Sequence, residues 1–234
     1  MAVLSATLPR PALSKRPLSR RLLRVALGIL IGYLALWAAG AGGILGLSLL
    51  ARAETPAPAG TRAVQGVNHF QPVDSDGHLW RGSAPSPAGY RALEGMGVTT
   101  VVDLRAERMS AAELAEPGDA GLNVVRLPIR DGQTPSPKQV QRFLDVVSTA
   151  SGPVFVHCGA GVGRTGAMAA AYLVNTGEES PSTAVRRNLA VGPPSIEQIY
   201  YGLNLSPAEA EQPPLPVVIV SRLVDAPRRI MSYF

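Results

Sequence analysis

From residue 25 to residue 51 the chain runs for 27 positions without one charged side chain, between Arg24 and Arg52. As an α-helix that run is about 40 Å long, more than the roughly 30 Å hydrocarbon core of a bilayer. The 234 residues allow one globular domain plus something extra, and a buried core helix of that length is not expected. The segment therefore reads as one N-terminal transmembrane helix. Ahead of it, the tail 1–24 carries Arg10, Lys15, Arg16, Arg20, Arg21 and Arg24 and no acid. Positive charge stays on the cytoplasmic side, which places the N-terminus inside and residues 52–234 outside, in a single-pass protein of the cell membrane. Two rival readings concern the same stretch. Ala51-Arg52-Ala53 resembles a small-residue cleavage site, but the apolar run exceeds the ~7–15 residues of a signal core, which favours a retained anchor. Ser19-Arg20-Arg21-Leu22-Leu23-Arg24 resembles a twin-arginine export signal. Gly28 and Gly32, and Gly42 and Gly46, stand four apart and would let two such helices approach. Glycine is also ordinarily frequent in membrane helices, and the oligomeric state stays open.

The tail accounts for the charge balance. The whole chain has net charge +5, with 22 basic and 17 acidic residues. Without the six basic residues of the tail, sixteen face 17, close to neutrality. The basicity is therefore no nucleic-acid-binding face. Hydrophobic residues reach 46% and charged residues only 17%, in keeping with a membrane segment. There is one cysteine, Cys158, so no internal disulfide and no thiolate metal cluster is possible.

Residues 52–63 are small and proline-bearing and read as a linker. The globular domain is expected over 64–212, followed by an apolar, basic segment, 213–234. Short β-branched runs at 78–81, 98–104, 122–129 and 153–157 read as buried strands. Ser86-Pro87 and Ser136-Pro137 each set an N-cap serine before a first-turn proline. Residues 165–176 and 181–189 also read as helices. Alternating strands and helices imply an α/β domain with a central, mainly parallel sheet flanked by helices. The stretch 217–234 is apolar with Arg222, Arg228 and Arg229 interspersed. It is expected to pack on the domain, the alternative being a membrane surface.

The chemistry lies in His157-Cys158-Gly159-Ala160-Gly161-Val162-Gly163-Arg164-Thr165-Gly166. A short strand enters this loop and an alanine-rich helix leaves it. Loop glycines let backbone N–H groups converge on one point, and the helix dipole adds positive potential there. A cysteine facing such a cradle is favoured as thiolate, a strong nucleophile. The planar fork of Arg164 can grip two oxygens of one phosphate. Thr165 is placed to donate a hydroxyl hydrogen bond to the sulfur. The rival is a nucleotide loop of pattern G-x-x-x-x-G-K-[ST]. Here Cys158 stands for the first glycine and Arg164 for the lysine, and both changes defeat that use.

His-Cys-x5-Arg-[Ser/Thr]-Gly resembles the signature of the cysteine-dependent protein tyrosine and dual-specificity phosphatases. Leu79-Trp80-Arg81-Gly82-Ser83-Ala84-Pro85 and Val101-Val102-Asp103-Leu104-Arg105 look like the opening strands of compact bacterial and fungal dual-specificity-like members. The resemblance implies a phosphatase working through a phosphocysteine, without metal or cofactor. Gly159, Ala160, Gly161, Val162, Gly163 and Arg164 would bind the phosphate. It also implies an aspartic acid on a loop before the signature. Asp131, 27 residues ahead of Cys158, follows an expected strand and precedes a capped helix, with Asp119 in reserve. The Trp-Pro-Asp triplet of larger relatives is absent. Gln198 is expected to orient the hydrolytic water, with a plain surface glutamine as the alternative. His157 tunes the loop by hydrogen bonding, and Asp103 and Arg105 make structural contacts nearby. Substrates expected on this basis are phosphotyrosine proteins, with phosphoserine or phosphothreonine as extensions. The alternative is a phosphoinositide or inositol-phosphate phosphatase, against which the absence of lysine in the loop counts. An inactive phosphate-binding module would normally lack the cysteine, arginine or acid. One tension follows from the topology: outside the cytoplasm a thiolate meets oxidants and few phosphoproteins.

Overall fold

The computed structural model describes residues 20–207 and 211–231; most of the basic tail, 1–19, and the last residues, 232–234, lie outside them. The elements are α1 (Arg20–Glu54), β1 (Gln71–Pro72), β2 (Leu79–Gly82), α2 (Pro87–Gly95), β3 (Thr100–Arg105), α3 (Ala111–Asp119), β4 (Asn123–Ile129), α4 (Pro137–Thr149), β5 (Val154–His157), α5 (Gly163–Asn175), α6 (Pro181–Val191), α7 (Ile196–Leu203) and α8 (Leu215–Met231). The strands form one mixed sheet in the order β1-β2-β5-β3-β4. β5 pairs parallel with β2 and β3, β3 pairs parallel with β4, and only the short β1 is antiparallel.

The inner strands β5 and β3 are covered on both faces and are apolar on both sides, whereas β4, expected as a buried strand, lies at the sheet edge and exposes Asn123, Val124, Arg126 and Pro128. Val101 and Phe155 face Tyr90 and Leu93 of α2. Their neighbours Val102, Val154 and Val156 face Phe143 of α4 and Met168 of α5, as alternation along a strand requires. Phe143 and Phe155 are fully buried, each contributing about 1.5–3 kcal/mol of transfer free energy. Register decides where the chemistry goes. His157 lies opposite Gly82 on one side and Asp103 on the other, so β2, β5 and β3 end in one row. Cys158 is the next residue, at the carboxyl edge of the central strand, where open α/β sheets hold their ligands.

Five helices start on a serine whose hydroxyl accepts a first-turn N–H: Ser86, Ser110, Ser136, Ser180 and Ser195. Strands β2 to β5 and the helices α2, α4, α5 and α6 lie where sequence reading expects them, within about two residues. It does not anticipate β1, α3 or α7. β1 has two residues, too few for alternation to register. α3 carries Pro117 and Gly118 in its last turn, which read as breakers. α7 is eight residues long and announced only by its capping box.

The chain divides into two units, residues 1–36 and 37–234, and α1 runs through the boundary. In the first unit the described side chains lie on α1 and are nearly all exposed. In the second, the end of α1 is seated on α6: Ser48 Oγ donates to the Leu189 carbonyl at 2.7 Å. Arg52 donates to the carbonyls of Ala190 and Val191. The final helix, α8, buries Ser221, Val224 and Asp225, and Ser221 Oγ accepts the N–H of Glu197 on α7.

Candidate active site

The loop leaving β5 is held open by hydrogen bonds to its carbonyls. The Cys158 carbonyl accepts from His157 Nδ1 at 3.1 Å, and that of Gly159 from the Ala84 N–H at 2.9 Å. Ala160 accepts from His69 Nδ1 at 2.9 Å and Gly161 from Arg81 Nη2 at 2.8 Å. Val162 accepts from the Gly166 N–H at 2.9 Å. Five successive carbonyls are thus spent on the outside of the loop. In a trans peptide the C=O of one residue is antiparallel to the N–H of the next. The N–H groups of residues 159–163 therefore point the other way, into the loop. Helix α5 starts at its end with no side-chain cap, adding its first-turn N–H groups to the same anion-seeking concavity.

Local sequence explains why this turn forms. Gly161 has φ +75, a left-handed value that a Cβ disfavours, and a Cβ there would overlap the Gly82 carbonyl carbon. Gly163 leaves no room for a Cβ either, because the Gln198 amide packs against it. Arg81 is 4% exposed and ties the loop to α6, donating to Asn188 Oδ1 at 3.0 Å as well as to Gly161. Burial pulls its pKa down to about 10, an effect that the charge of Cys158 partly offsets. His69, whose φ of 55 is unusual for a residue with a side chain, closes the other side.

Cys158 is 2% exposed and abuts the main apolar core. Two guanidiniums, Arg81 and Arg164, lie within electrostatic reach of it. Arg164 is held by its far end. Its Nη1 and Nη2 each donate to one oxygen of Glu107 at 2.7 Å, and Nη1 also donates to the Ile129 carbonyl at 3.1 Å. The Nε–H is buried and makes no hydrogen bond, and Asp131 Oδ1 stands 3.5 Å from it. The terminal edge of the fork is therefore committed to a carboxylate, and the side edge faces Asp131. Burial works against both charges, yet the pair prevails. The Arg164 pKa is raised, and that of Glu107 is held below the usual carboxylate range by the Arg164 hydrogen bonds and charge.

Asp131 is brought to Arg164 and Asp119 is not. β4 carries Asp131 just past its carboxyl end, on the edge where β5 delivers Cys158. Asp119 ends α3 and precedes β4, which puts it on the opposite edge, a strand length of about 20 Å away. The loop after Asp131 is tied at two carbonyls. Gly132 accepts from Ser195 Oγ at 2.7 Å and Arg229 Nη2 at 3.0 Å, and Gln133 accepts from Gln198 Nε2 at 2.9 Å. Gln198 also accepts the Ser195 N–H at 2.9 Å, so both ends of its amide are in use. The Thr165 hydroxyl is buried and without a hydrogen bond; the expected bond to the Cys158 sulfur is not made in this structure. His157 is fully buried, and burial pushes its pKa down to about 4. Its ring stacks on Phe155. Because a carbonyl only accepts, its proton sits on Nδ1. Asp103 lies 4.0 Å from that nitrogen and takes a two-pronged contact from Arg105.

A cleft of about 210 Å³ opens over this arrangement, lined by Glu107, Asp131, Gln133, Arg108, Arg130 and Arg229. Cys158 does not line it. Sequence reading names the loop, Arg164 and Asp131, and the structure places Asp131 beside Arg164. Sequence reading misses Glu107, Arg81, His69 and Ser195. Three of these left a signal: Arg81 is a charge inside a buried strand, Glu107 sits two residues past another, and Ser195 opens a capping box with Gln198.

The family model described as DSP-PTPase phosphatase fused to NAD+ Kinase matches residues 57–201. Human dual specificity protein phosphatase CDC14C is 40% identical over 77 residues, which is 33% of this chain and 17% of that protein. The probable chloroplastic NAD kinase 2 of Oryza sativa subsp. japonica is 37% identical over 96 residues, 38% of this chain and 10% of that protein. The chain thus matches less than a fifth of the length of these relatives. Among solved structures, the core catalytic domain of the PP-IP phosphatase SIW14 from S. cerevisiae, in complex with citrate, shares the fold. The TM-score is 0.53, with 15% identity, over 74% of this chain and 100% of that one.

Proposed function

We propose that this chain, which belongs to the family of dual-specificity-type phosphatases described as fused to NAD+ kinase, hydrolyses phosphate monoesters through a phosphocysteine on Cys158. One observation carries this reading: five outward-pinned carbonyls turn the N–H groups of 159–163 into the loop that begins at Cys158, and the one Arg164 edge that Glu107 leaves over meets Asp131, with Oδ1 3.5 Å from Nε. Three equatorial phosphoryl oxygens fit that set of donors. Cys158 Sγ attacks phosphorus in line, forming the S–P bond as the P–O bond to the leaving group breaks. Asp131 gives its proton to the departing oxygen. Water then attacks the phosphocysteine, Asp131 takes its proton, and inorganic phosphate leaves with the sulfur again a thiolate. The phosphoryl group displaces Asp131 from the Nε edge of Arg164, which frees the acid to face the leaving group. Thr165, with its unspent hydroxyl, donates to the sulfur as it departs. Gln198 serves first to hold the acid loop, and it orients water only by releasing Gln133 or Ser195. Cys158→Ser in the full chain tests the reading. Turnover of an aryl phosphate should vanish while the aryl phosphate still binds; turnover at the wild-type rate would overturn it.

Phosphotyrosine is the substrate we favour, because an aryl phosphate suits a site this recessed. A phosphoinositide or inositol-phosphate substrate is the second reading, supported by Arg108 and Arg130, both exposed and lining the cleft. A panel of phosphotyrosine peptides, phosphothreonine peptides and phosphoinositides, presented to the full chain, separates the two. We also propose that α1 anchors the protein in the cell membrane with the catalytic domain outside the cytoplasm. The support is a helix long and apolar enough to cross a bilayer, with none of its most apolar window buried. A reporter fused after Phe234 that is active only in the cytoplasm would refute that topology.

A further inference from the structure

Beyond residue 201, where the family match ends, the chain adds α8, and one of its side chains reaches the active site. Arg229 lines the cleft with Asp131 and Glu107. Its Nη2 donates to the carbonyl of Gly132, the residue after Asp131, at 3.0 Å. The same nitrogen donates to Glu197 Oε1 at 2.7 Å. Glu197 is 4% exposed on α7, and its backbone N–H is bound by Ser221 of α8. Arg229 is thus the middle of a chain of contacts that starts in α7, crosses α8 and ends on the loop of the acid.

The local sequence is built for this approach. Gly132 has φ +73, a left-handed value that favours glycine, and a Cβ there would meet Arg229 Nη2 at 2.7 Å, so any side chain at this position would push the guanidinium aside. With Ser195 Oγ at 2.7 Å and Arg229 at 3.0 Å, the Gly132 carbonyl has both lone pairs occupied. Any rotation of the Gly132–Gln133 peptide, one residue past Asp131, must break two hydrogen bonds at once, one of them from a charged donor. Helix α8 also lies against α1, where Val224 occupies the space that a side chain at Gly40 would need. The element that steadies the acid is therefore itself braced by the end of the N-terminal helix.

We propose that Arg229 is a positioning residue for proton transfer: it fixes the Asp131 loop in the geometry that protonates the leaving group. This rests on the reading of Asp131 as the acid of a phosphatase. The experiment uses the full chain and compares Arg229→Met, Arg229→Lys and the double change with Asp131→Asn. Turnover is measured on aryl phosphates of rising leaving-group pKa, and amide hydrogen exchange on the peptide covering 130–134. Arg229→Met should lower kcat about tenfold for phenyl phosphate and less than about twofold for a dinitrophenyl ester, with KM unchanged. Arg229→Lys should recover most of the loss. In the Asp131→Asn background Arg229→Met should add nothing, because the proton it positions is already gone. Exchange over 130–134 should rise. Equal losses across all leaving groups, additive losses in the double variant, or unchanged exchange would each overturn the proposal. A wild-type chain with no turnover on any ester would sink the phosphatase reading alone, since exchange still reports whether Arg229 holds the loop.

Discussion

Replacing Glu107 by glutamine tests how the phosphate clamp is aimed. The two oxygens of Glu107 take one N–H each from Nη1 and Nη2 of Arg164, both at 2.7 Å. Glutamine keeps the shape but turns one acceptor into a donor, which faces a guanidinium N–H and repels it. One charge-assisted hydrogen bond is lost, worth about 1.5–3 kcal/mol. The Glu107 side chain is 26% exposed, so solvent screening trims this to about 1–2 kcal/mol. Fully expressed in the transition state, that is a fall of about 5- to 30-fold in kcat/KM. The clamp touches non-bridging oxygens, so the fall should be the same for good and poor leaving groups. Phosphatase assays across an aryl phosphate series, with vanadate inhibition alongside, provide the measurement. Glu107 has its carboxyl pKa lowered in the fold, so its contribution is complete near neutrality and fades only as pH drops through that lowered value. A glutamine variant that runs faster, or binds vanadate more tightly, would show that Glu107 competes with phosphate for Arg164, and the reasoning would fail.

Other perturbations separate the remaining roles. Asp131→Asn should reduce kcat by about 10²–10⁴, most for poor leaving groups, and a uniform loss in the same aryl series would remove Asp131 from proton transfer. Gly161→Ala should abolish activity and lower stability by more than about 1 kcal/mol, because a Cβ there is both left-handed and overlapped by Gly82; a thermal melt matching wild type would contradict this. His157 is buried with its pKa down from 6.5 to about 4, so between those values the unfolded chain takes up a proton that the native chain refuses. Stability should fall by about 3 kcal/mol as pH drops from 6.5 to 4. Urea titrations at several pH values should show a shallower fall for His157→Gln.

What the sequence discloses and what it hides divides along chain separation. The loop from His157 to Gly166 is contiguous, so its glycines, cysteine and arginine report one another without any fold. The serine caps are equally local, a hydroxyl and an N–H three residues apart. Even Ser110 and Ser195 sit in legible capping boxes, with Glu113 and Gln198 three residues on. By contrast, His69 bonds a carbonyl 91 residues away, Arg81 one 80 residues away, and Glu107 meets Arg164 across 57. No periodicity encodes such distances. They exist only once strand order and register are fixed, and a histidine before a strand or an arginine within one has many other uses.

Strand order nevertheless turns these residues into a pattern. In a sheet whose neighbouring strands run parallel, every carboxyl end opens on the same edge. β3 ends at Arg105 and delivers Glu107 two residues later, and β4 ends at Ile129 and delivers Asp131 two residues later. β5 ends at His157 and delivers Cys158 at once. A counter-charge, the proposed acid and the proposed nucleophile thus leave three strands of one edge, and Arg164 on the next helix touches the first two and acts on the third through its charge. The guanidinium is committed at its end to Glu107 and meets Asp131 along its side because the strands on one flank of β5 supply a carboxylate each at that height. Moving β3 by a single residue in register would shift Glu107 by about 3.3 Å and turn its side chain to the other face. The electrostatics of the site therefore depend on the pairing of Val102 with Val156 and Asp103 with His157, apolar and structural contacts that carry no chemistry themselves.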